Sequence, residues 1–267
     1  SWLMNETEHE PTTIRATIRE IAGGPCQRLQ LRMAKSVDEV HAAQRLRHRV
    51  FAGELGARLA GRDGRDEDFF DAWCEHLVVV DGERGAVVGT YRLLPAERAQ
   101  RLGTFYADGE FDLTRLAHLK PRMVEIGRAC VDPAYRSGAV LMLLWHGIAE
   151  FMRRHRHDYL VGCASIGMQD GGVNAQRVYD VVAGCHLAPI EYRVFPRHRL
   201  LPRDAPAPEQ AAGAPQIPPL LKGYLRLGAW VGGEPAWDPD FNTADLLVLL
   251  PLSRLDARYA RHFGGAA

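Results

Sequence analysis

From Leu29 onward, apolar and polar residues alternate in this chain with two different periods. An apolar residue at every second position predicts a half-buried strand, whereas apolar residues three and four positions apart predict one face of a helix. Turn residues such as Asp81-Gly-Glu-Arg-Gly85 separate the segments. The pattern predicts strands at 29–33, 76–80, 86–94, 122–131, 159–166 and 244–252, helices at 37–51, 140–154, 173–183 and 220–228, and one or two short helices within 96–120.

The order of these elements predicts an α/β fold with a mixed (α+β) sheet covered by helices. The polar, weakly patterned residues 1–27 are typical of a loose N-terminal arm, and residues 28–195 form the regular core. Residues 196–219 are rich in Pro and Ala, which predicts a linker or a long surface loop. Residues 220–267 are expected to complete the same domain as a C-terminal extension, with a helix in the polar tail 253–263.

Composition and charge narrow the range of partners. Hydrophobic residues make up 46% and charged residues 25% of the 267 positions, which is typical of a soluble globular chain. Lys and Arg total 33, as do Asp and Glu, and this zero net charge argues against a nucleic-acid binder, whose affinity comes from neutralised phosphates. A charged partner must therefore be bound by a local patch.

Cysteine usage and hydropathy indicate the compartment. The five cysteines are odd in number and contain no C-x-x-C pair, which indicates reduced thiols in the cytoplasm. No apolar run approaches the ~20 residues that span a bilayer, and no basic-then-apolar signal is visible. We therefore expect a cytoplasmic protein whose contact with the inner membrane, if it has one, is peripheral.

Several chemistries lose support because their sequence signatures are absent. The chain has no G-x-x-x-x-G-K-[ST], no G-x-G-x-x-G after a strand, no G-x-S-x-G and no H-E-x-x-H. This argues against nucleotide hydrolysis, dinucleotide redox chemistry, serine hydrolysis and zinc proteolysis. The spacing of His155 and His157 would suit a metal, but a solvated basic turn is the better explanation, and no metal site is expected.

Charged residues inside predicted strands are the candidate functional positions. Glu125 and Arg128 interrupt the apolar strand 122–131 and Arg92 interrupts 86–94, although a charge in a central strand is costly unless it is paired or lines a cavity. Two interpretations stay open: arginines paired with aspartates that fix a loop against the sheet, or a cleft. Glu125, close to Gly127, favours the cleft. The same set includes Arg47, Arg49, Phe51, Asp68 and Asp71.

These positions belong to a series of short motifs. The series includes Leu46-Arg-His-Arg-Val-Phe51, Glu67-Asp-Phe-Phe-Asp71, Gly89-Thr-Tyr-Arg-Leu-Leu94, Glu125-Ile-Gly-Arg-Ala-Cys-Val131 and Pro219-Leu-Leu-Lys-Gly-Tyr-Leu-Arg-Leu-Gly-Ala229. In order and spacing it resembles the GNAT-type acyltransferases that take acyl groups from acyl carrier protein, and within them the ornithine-lipid N-acyltransferases. The resemblance covers about residues 29–263 and implies a GNAT-like, mostly antiparallel sheet flanked by helices.

The resemblance implies acyl carrier protein as the donor, and because the carrier supplies its own 4′-phosphopantetheine, no separate cofactor is expected. The loop that holds the coenzyme A pyrophosphate in GNAT folds is degraded here to Tyr135-Arg-Ser-Gly-Ala-Val140, without the second glycine, which favours a protein-tethered donor. An acidic carrier needs a basic docking surface. The residues expected to provide it are Arg136, Ser137, Gly138, Arg153, Arg154 and Arg156. An ordinary solvated helix end is the alternative explanation.

By the same resemblance, the acceptor is the α-amino group of ornithine and the product is an N-acyl amino acid, typically 3-hydroxyacylated. Glu125 is expected to act as the general base, directly or through water, and backbone N–H groups at a bulge around 127–129 to bind the oxyanion. Asp68 and Asp71 are expected beside the cationic acceptor, with Arg92 and Arg128 holding these acids or the substrate carboxylate. The complete substrate-binding set is Arg47, Phe51, Asp68, Asp71 and Arg92.

Four alternatives stay open at this point. The chain could be an acyl-homoserine-lactone synthase, although the loop 53–66 lacks the aromatic residue that these enzymes bring toward S-adenosylmethionine. It could acylate another amino acid, such as glycine, glutamine or tyrosine. It could be a non-enzymatic, carrier-binding peripheral membrane protein, which would have no use for a buried Glu125. Finally, Cys130 could carry an acyl intermediate, but no neighbouring His or Asp activates it in sequence.

Overall fold

The structure is a computed structural model of the chain, and it describes residues 29–59, 61, 63–200 and 213–255. The predicted N-terminal arm 1–27 and most of the predicted tail helix 253–263 lie outside the described residues. None of the described helices is both long enough and apolar enough to cross a membrane.

Five α-helices and ten β-strands are described. The helices are α1 (Val37–Leu55), α2 (Ala96–Leu102), α3 (Ala139–His155), α4 (Val173–His186) and α5 (Pro219–Leu227). The strands are β1 (Leu29–Met33), β2 (Glu75–Asp81), β3 (Ala86–Pro95), β4 (Phe111–Asp112), β5 (Met123–Val131), β6 (Tyr159–Gly167), β7 (Phe195–Pro196), β8 (Trp230–Val231), β9 (Ala236–Asp238) and β10 (Thr243–Pro251). Apart from the tail helix 253–263, every predicted strand and helix is confirmed within a few residues at each end.

The central sheet has the strand order β1-β2-β3-β5-β6-β10-β8, with β9 also paired to β10. All of its described pairings are antiparallel except β5 with β6, which is parallel. The prediction of a mixed, mostly antiparallel sheet is therefore confirmed. The C-terminal strand β10 lies beside β6 in the middle of the sheet, so residues distant in sequence reach the region around β5 and β6.

Helices cover both faces of the sheet, as the alternation of apolar residues requires. Successive side chains of a strand point to opposite faces. In β2, Leu77 and Val79 belong to the core cluster that contains α3, whereas Val78 and Val80 pack with Ala43 of α1. Helix α1 begins at the predicted cap, where the Ser36 hydroxyl accepts a hydrogen bond of 3.2 Å from the Glu39 N–H.

Strands β5 and β6 pair along only part of their length. Their register joins Met123–Ile126 to residues 159–162, and beyond this point β5 continues to pair with β3 while β6 continues to pair with β10. The last pair is tightly packed, because a Cβ atom built on Gly162 would lie 2.7 Å from the carbonyl oxygen of Ile126. The two strands therefore separate after Ile126 and open a cleft in the sheet.

A β-bulge lies in β5 directly after this separation. Thr90 pairs with Cys130 and Arg92 pairs with Gly127, so that Tyr91 faces two residues of β5, Arg128 and Ala129. Arg128 has a φ of 53°, a left-handed conformation that is uncommon for a residue with a side chain. The predicted bulge around 127–129 is thus confirmed, and it redirects the strand at the mouth of the cleft.

Four short strands were not predicted from the sequence. They are β4, β7, β8 and β9, each of two or three residues. Segments this short carry too few positions to show an alternation of apolar and polar residues. The short strand β7 begins the predicted loop 196–219 by pairing with β4, and residues 201–212 of that loop lie outside the described residues.

Candidate active site

A cavity of about 220 Å³ lies where β5 and β6 separate. Its wall is built from the bulged part of β5, from the facing part of β6, from β10 and from the end of α1. The lining residues that bear on chemistry are Tyr106, Glu125, Arg128, Cys163, Ser165 and Asp245. Of the residues predicted to form the site, Phe51, Arg92, Glu125 and Arg128 line this cavity, whereas Arg47, Asp68 and Asp71 do not.

Glu125 reaches the cavity because of its place in the strand. Its neighbours Val124 and Ile126 point to the opposite face and pack in the core cluster with α3, so the side chain of Glu125 points to the face that holds the cavity. The residue is only 6% exposed. The interpretation of Glu125 as a residue that faces a cleft is therefore supported by its position.

The Glu125 carboxylate is bound by backbone amides rather than by a cationic side chain. Oε1 accepts a hydrogen bond of 2.8 Å from the N–H of Tyr106, and Oε2 accepts one of 2.8 Å from the N–H of Ala107. These amides belong to the first turn of a short 3-10 helix, Tyr106–Gly109, where N–H groups have no partner within the helix. They orient both oxygens and leave part of their acceptor capacity free.

Burial sets the protonation behaviour of this carboxyl. Desolvation raises the pKa of Glu125 to about 7, and the two backbone hydrogen bonds and the nearby Arg92 charge offset only part of that effect. A group with this pKa is protonated and deprotonated in comparable amounts near neutral pH. A general base works best in this range, because a large fraction of the carboxyl is deprotonated and that carboxylate still binds a proton well.

A ring of alternating arginines and aspartates lies beside the cavity. Each arginine binds two aspartates and each aspartate binds two arginines, in the order Arg47, Asp66, Arg128, Asp68, Arg92, Asp71 and back to Arg47. The contacts range from 2.6 Å between Arg92 Nη1 and Asp68 Oδ1 to 3.2 Å between Arg92 Nη1 and Asp71 Oδ1. With three charges of each sign, this Arg–Asp ring is neutral.

The ring changes the expectation for Asp68 and Asp71. Asp71 is 5% exposed, and its two oxygens accept hydrogen bonds from Arg47 and Arg92. Asp68 is bound by Arg92 and Arg128. The structure thus places neither carboxylate against the cavity, and it favours the interpretation in which these acids pair with arginines and fix the loop before β2. Their place beside a cationic acceptor is not supported.

The ring also contains Asp66, which was not among the predicted site residues. Asp66 joins Arg47 to Arg128, with contacts of 2.8 and 2.6 Å, and its backbone oxygen accepts a further bond of 2.7 Å from Arg47. The acids at 66, 68 and 71 are spaced as loop residues, without the period of a helix or strand. Only the presence of three arginines in the helix and strands, as many as the three acids, could have indicated that these acids form ion pairs.

A second group of acids at the cavity was not predicted. Asp245 and Asp238 line the cavity. Glu110 lies next to them, because one carboxylate oxygen of Glu110, one of Asp245 and the Sγ of Cys163 all lie within 4.8 Å of one another. Burial and the neighbouring Asp245 raise the pKa of Glu110 far above its ordinary value, and burial also raises the pKa of Asp245. Asp245 lies in a continuous apolar run, Ala244–Leu250, where its burial was not recognised as a signal.

The residues predicted to bind the donor lie at two ends of one helix. Arg136, Ser137 and Gly138 precede α3, whereas Arg153, Arg154 and Arg156 lie at its C-terminal end. A helix of 17 residues is about 25 Å long, so these groups cannot form one continuous patch. The prediction of a single basic surface is wrong in this respect. At the C-terminal end, Arg153 and Arg154 both pair with Glu150.

The start of α3 retains a feature of an anion site. Gly138 precedes the helix with a φ of 95°, no side chain caps the first turn, and no acidic residue lies there. Backbone N–H groups at such a helix start point outward and favour negative charge. Arg136 stands nearby and pairs at 2.8 Å with Glu54 of α1, the neighbour of the cavity-lining Leu55.

Cys130 has no features of a nucleophile. It is 3% exposed, it does not line the cavity, and burial raises the pKa of its thiol to about 12. A thiol reacts as the thiolate, and a raised pKa withholds that form. The prediction that Cys130 is a buried strand residue is in accord with these contacts.

Comparisons with known proteins agree with the geometry. Residues 46–146 match the family described as the acetyltransferase (GNAT) domain. The chain is 38% identical over 255 residues to the L-ornithine N(alpha)-acyltransferase of Brucella abortus (strain 2308), and the match covers 90% of each chain. The enzyme of the same name from Rhizobium meliloti (strain 1021) is 36% identical over 280 residues, a match that covers 96% of this chain and 93% of that protein.

Solved structures share the fold at much lower identity. The N-acyl amino acid synthase FeeM from uncultured soil microbes gives a TM-score of 0.52 at 14% identity, covering 85% of this chain and 92% of that chain. The AHL synthase LasI gives 0.53 at 12% identity, covering 90% and 97%. At these identities the likeness shows a common fold, in agreement with a GNAT-like sheet flanked by helices.

Proposed function

The chain belongs to the family of L-ornithine N(alpha)-acyltransferases, and from this premise we propose that it moves a long-chain 3-hydroxyacyl group from acyl carrier protein to the α-amino group of ornithine. The product is a lyso-ornithine lipid. The protein is an N-acyltransferase on a GNAT-like fold. The observation that carries the proposed mechanism is the position of the Glu125 carboxyl, which lies in the cavity at the separation of β5 and β6 without a cationic partner.

Glu125 acts as the base that frees the nucleophile. The α-amino group has a pKa of roughly 8 and is mostly protonated at neutral pH, so it cannot attack until a proton is removed. A carboxylate with a pKa of about 7 accepts that proton at little cost. The amine then attacks the thioester carbonyl. A second proton, lost from nitrogen as the amide forms, neutralises the departing thiolate, and Glu125 returns its proton to solvent.

Backbone N–H groups near the bulge stabilise the charge that develops on the carbonyl oxygen. Beyond Ile126, β5 has no partner on the side of β6, so main-chain polar groups of this segment face the cleft. A positioned donor of this kind is worth about 3 kcal/mol in the transition state, because it is fixed before the charge appears. Gly127 leaves the approach open, since a Cβ atom there would meet nothing within 4 Å.

The donor enters from the open end of the cleft. The pantetheine arm lies between the separated strands, and its phosphate binds at the uncapped start of α3, next to Arg136. Arg136 also provides the positive charge that an acidic carrier protein recognises. No cofactor other than the carrier's own pantetheine takes part. The hydrophobic product leaves toward the inner membrane, with which the protein makes peripheral contact.

The other candidate activities have weaker support. The likeness to the AHL synthase LasI is at 12% identity and extends to the fold alone, whereas the ornithine acyltransferases match at 36–38% over most of the chain. A non-enzymatic adaptor would gain nothing from a carboxyl with a pKa of about 7 in a cavity.

The reaction can be tested with purified components. Protein, 3-hydroxyacyl carrier protein and ornithine should yield acyl-ornithine by mass spectrometry, and glycine, glutamine and tyrosine should yield far less product. No product with the carrier but product with the coenzyme A thioester would contradict the choice of donor. Arg136→Glu should raise the KM for the carrier in a salt-sensitive manner. If Arg153→Glu raises it instead, the carrier docks at the other end of α3.

A further inference from the structure

The acids at the far side of the cavity have no cationic partner in the part of the chain that the structure describes. Among the described residues, no lysine or arginine forms an ion pair with Glu110, Asp238 or Asp245. This contrasts with the Arg–Asp ring a short distance away, where every carboxylate is matched by guanidinium groups. A buried carboxyl without a partner is costly, and such groups are retained where a ligand supplies the missing charge.

One atom marks this wall as incomplete. Oε2 of Glu110 is buried and has no hydrogen-bond partner within the described structure. Asp245 is 3% exposed and lines the cavity, and its Oδ1 accepts hydrogen bonds from Ser165 at 2.7 Å and from Thr243 at 2.9 Å. An ammonium group has three donors and no acceptor, which suits a pair of carboxyls with free acceptor capacity.

The spacing between this wall and Glu125 follows from the strand registers. Glu125 pairs with Val161 of β6, and Asp245 pairs with Ser165, four residues further along the same strand. At 3.3 Å per residue along the strands and about 4.8 Å between neighbouring strands, with β6 between β5 and β10, the two backbone positions are about 16 Å apart. Both side chains line the cavity, so their carboxylates lie in the space between these backbone positions, and extended ornithine, with its nitrogens about 6 Å apart and a hydrogen bond of about 2.9 Å at each end, joins carboxylate oxygens about 12 Å apart.

We propose that Glu110 and Asp245, with Asp238 beside them, form the subsite that binds the side-chain ammonium of a diamino-acid acceptor while its α-amino group faces Glu125. This inference rests on the proposed function and names the residues that give it specificity. A hydrogen bond joins the carboxyl groups of Glu110 and Asp245. The bound ammonium replaces their shared proton as the compensating positive charge.

The loop that contains Glu110 links the two ends of the site. Its first residues, Tyr106 and Ala107, donate their N–H groups to Glu125, and Glu110 follows three residues later. The position of Glu110 is fixed from outside the cavity, because its backbone oxygen accepts a hydrogen bond of 2.8 Å from the N–H of Arg197. A single turn of the chain therefore sets the distance between the base Glu125 and Glu110.

The test compares ornithine with norvaline, which has the same carbon chain but no terminal amino group. The wild-type protein should use ornithine far better than norvaline. Asp245→Asn and Glu110→Gln, which keep shape and most hydrogen bonds, should each lower kcat/KM for ornithine at least about 30-fold. Both should leave kcat/KM for norvaline within about threefold. Glu191→Gln, an exposed acid away from the cavity, is the matched control and should change neither value.

The outcomes separate this inference from the proposed function. If the wild-type protein forms no acyl-ornithine, the proposed function fails. If it forms acyl-ornithine and both variants keep the wild-type ratio of ornithine to norvaline, the subsite is wrong although the function stands. Equal losses for both acceptors would also overturn the inference, because they would assign these acids a general structural role. Circular dichroism of each variant verifies that it is folded.

Discussion

Arg92 and Glu125 line the same cavity from neighbouring strands, yet the Arg92 guanidinium binds Asp68 at 2.6 Å and leaves Glu125 to backbone amides. The difference decides their chemistry. An arginine bound to Glu125 would hold its pKa low and make it a weak base. Because the aspartates occupy the arginine, burial dominates and the Glu125 pKa stays near neutrality.

The Arg–Asp ring should contribute strongly to stability at Arg47. This side chain is 1% exposed and binds Asp66 and Asp71, so Arg47→Met leaves each of these buried carboxylates with only one of its two arginine partners, Arg128 or Arg92. We expect a loss of about 3–5 kcal/mol in the free energy of unfolding, measured with urea. Arg49→Met, two residues away at an exposed position with a 3.9 Å contact to Asp132, should cost less than about 1 kcal/mol. Equal costs for the two would contradict the ring.

Stability should depend on pH through Glu110. Its pKa is raised in the folded protein, so the folded state holds the proton more tightly than the unfolded chain does. The resulting stabilisation is complete below the unfolded pKa of about 4.3 and is lost as the pH rises toward the folded value. Glu110→Gln removes this dependence. The melting temperature of the variant relative to wild type should therefore rise between pH 5 and pH 9, and a constant difference would disprove the shift.

The close contact of β5 with β6 should make Gly162 intolerant of a side chain. Gly162→Ala places a Cβ atom 2.7 Å from the Ile126 carbonyl oxygen, at the last pair before the strands separate. Overpacking of this kind costs about 1–3 kcal/mol. Gly184→Ala is the matched control, since its Cβ would meet nothing within 4 Å inside α4 and should stabilise the protein by about 0.5–1 kcal/mol. Urea unfolding of both variants checks the opposite signs.

Direct transfer predicts that Cys130 is dispensable for chemistry. Cys130→Ala removes a buried thiol that lies outside the cavity, so turnover should stay within about threefold of wild type despite a stability loss of about 1 kcal/mol. Incubation with the acyl donor alone should give no mass increase on the wild-type protein. A stable acyl adduct that disappears in the variant would establish a covalent intermediate.

The strands and helices could be predicted because each long element carries its own period. The apolar alternation of Leu77 to Val80 and the Ser36 cap of α1 are local signals, and both are confirmed. Glu125 could be found for the same reason, since a lone acid in a central strand contradicts the pattern around it. The bulge at Arg128 was expected, and it is observed.

The group of acids at the cavity, Glu110, Asp238 and Asp245, could not be predicted because it depends on contacts between distant parts of the chain. Glu110 lies in a loop and Asp245 in the last strand, and the pairing of β10 with β6 places Asp245 close to Cys163, against which Glu110 also lies. The ion pairs of Asp68 and Asp71 could not be predicted for a related reason. Sequence alone does not show that Arg47 and Arg92 point at the same loop, and this convergence occupies both acids.

The central claim is that Glu125 removes the proton from the acceptor nitrogen. The most direct measurement is kcat/KM for ornithine between pH 5.5 and 9, for wild type and Glu125→Gln with Glu191→Gln as control. For wild type we predict a fall in activity below an apparent pKa of about 7. The Gln variant should be slower by roughly 10²- to 10⁴-fold and should lose that dependence. A folded Glu125→Gln protein with near-wild-type rates and an unchanged pH profile would contradict the account.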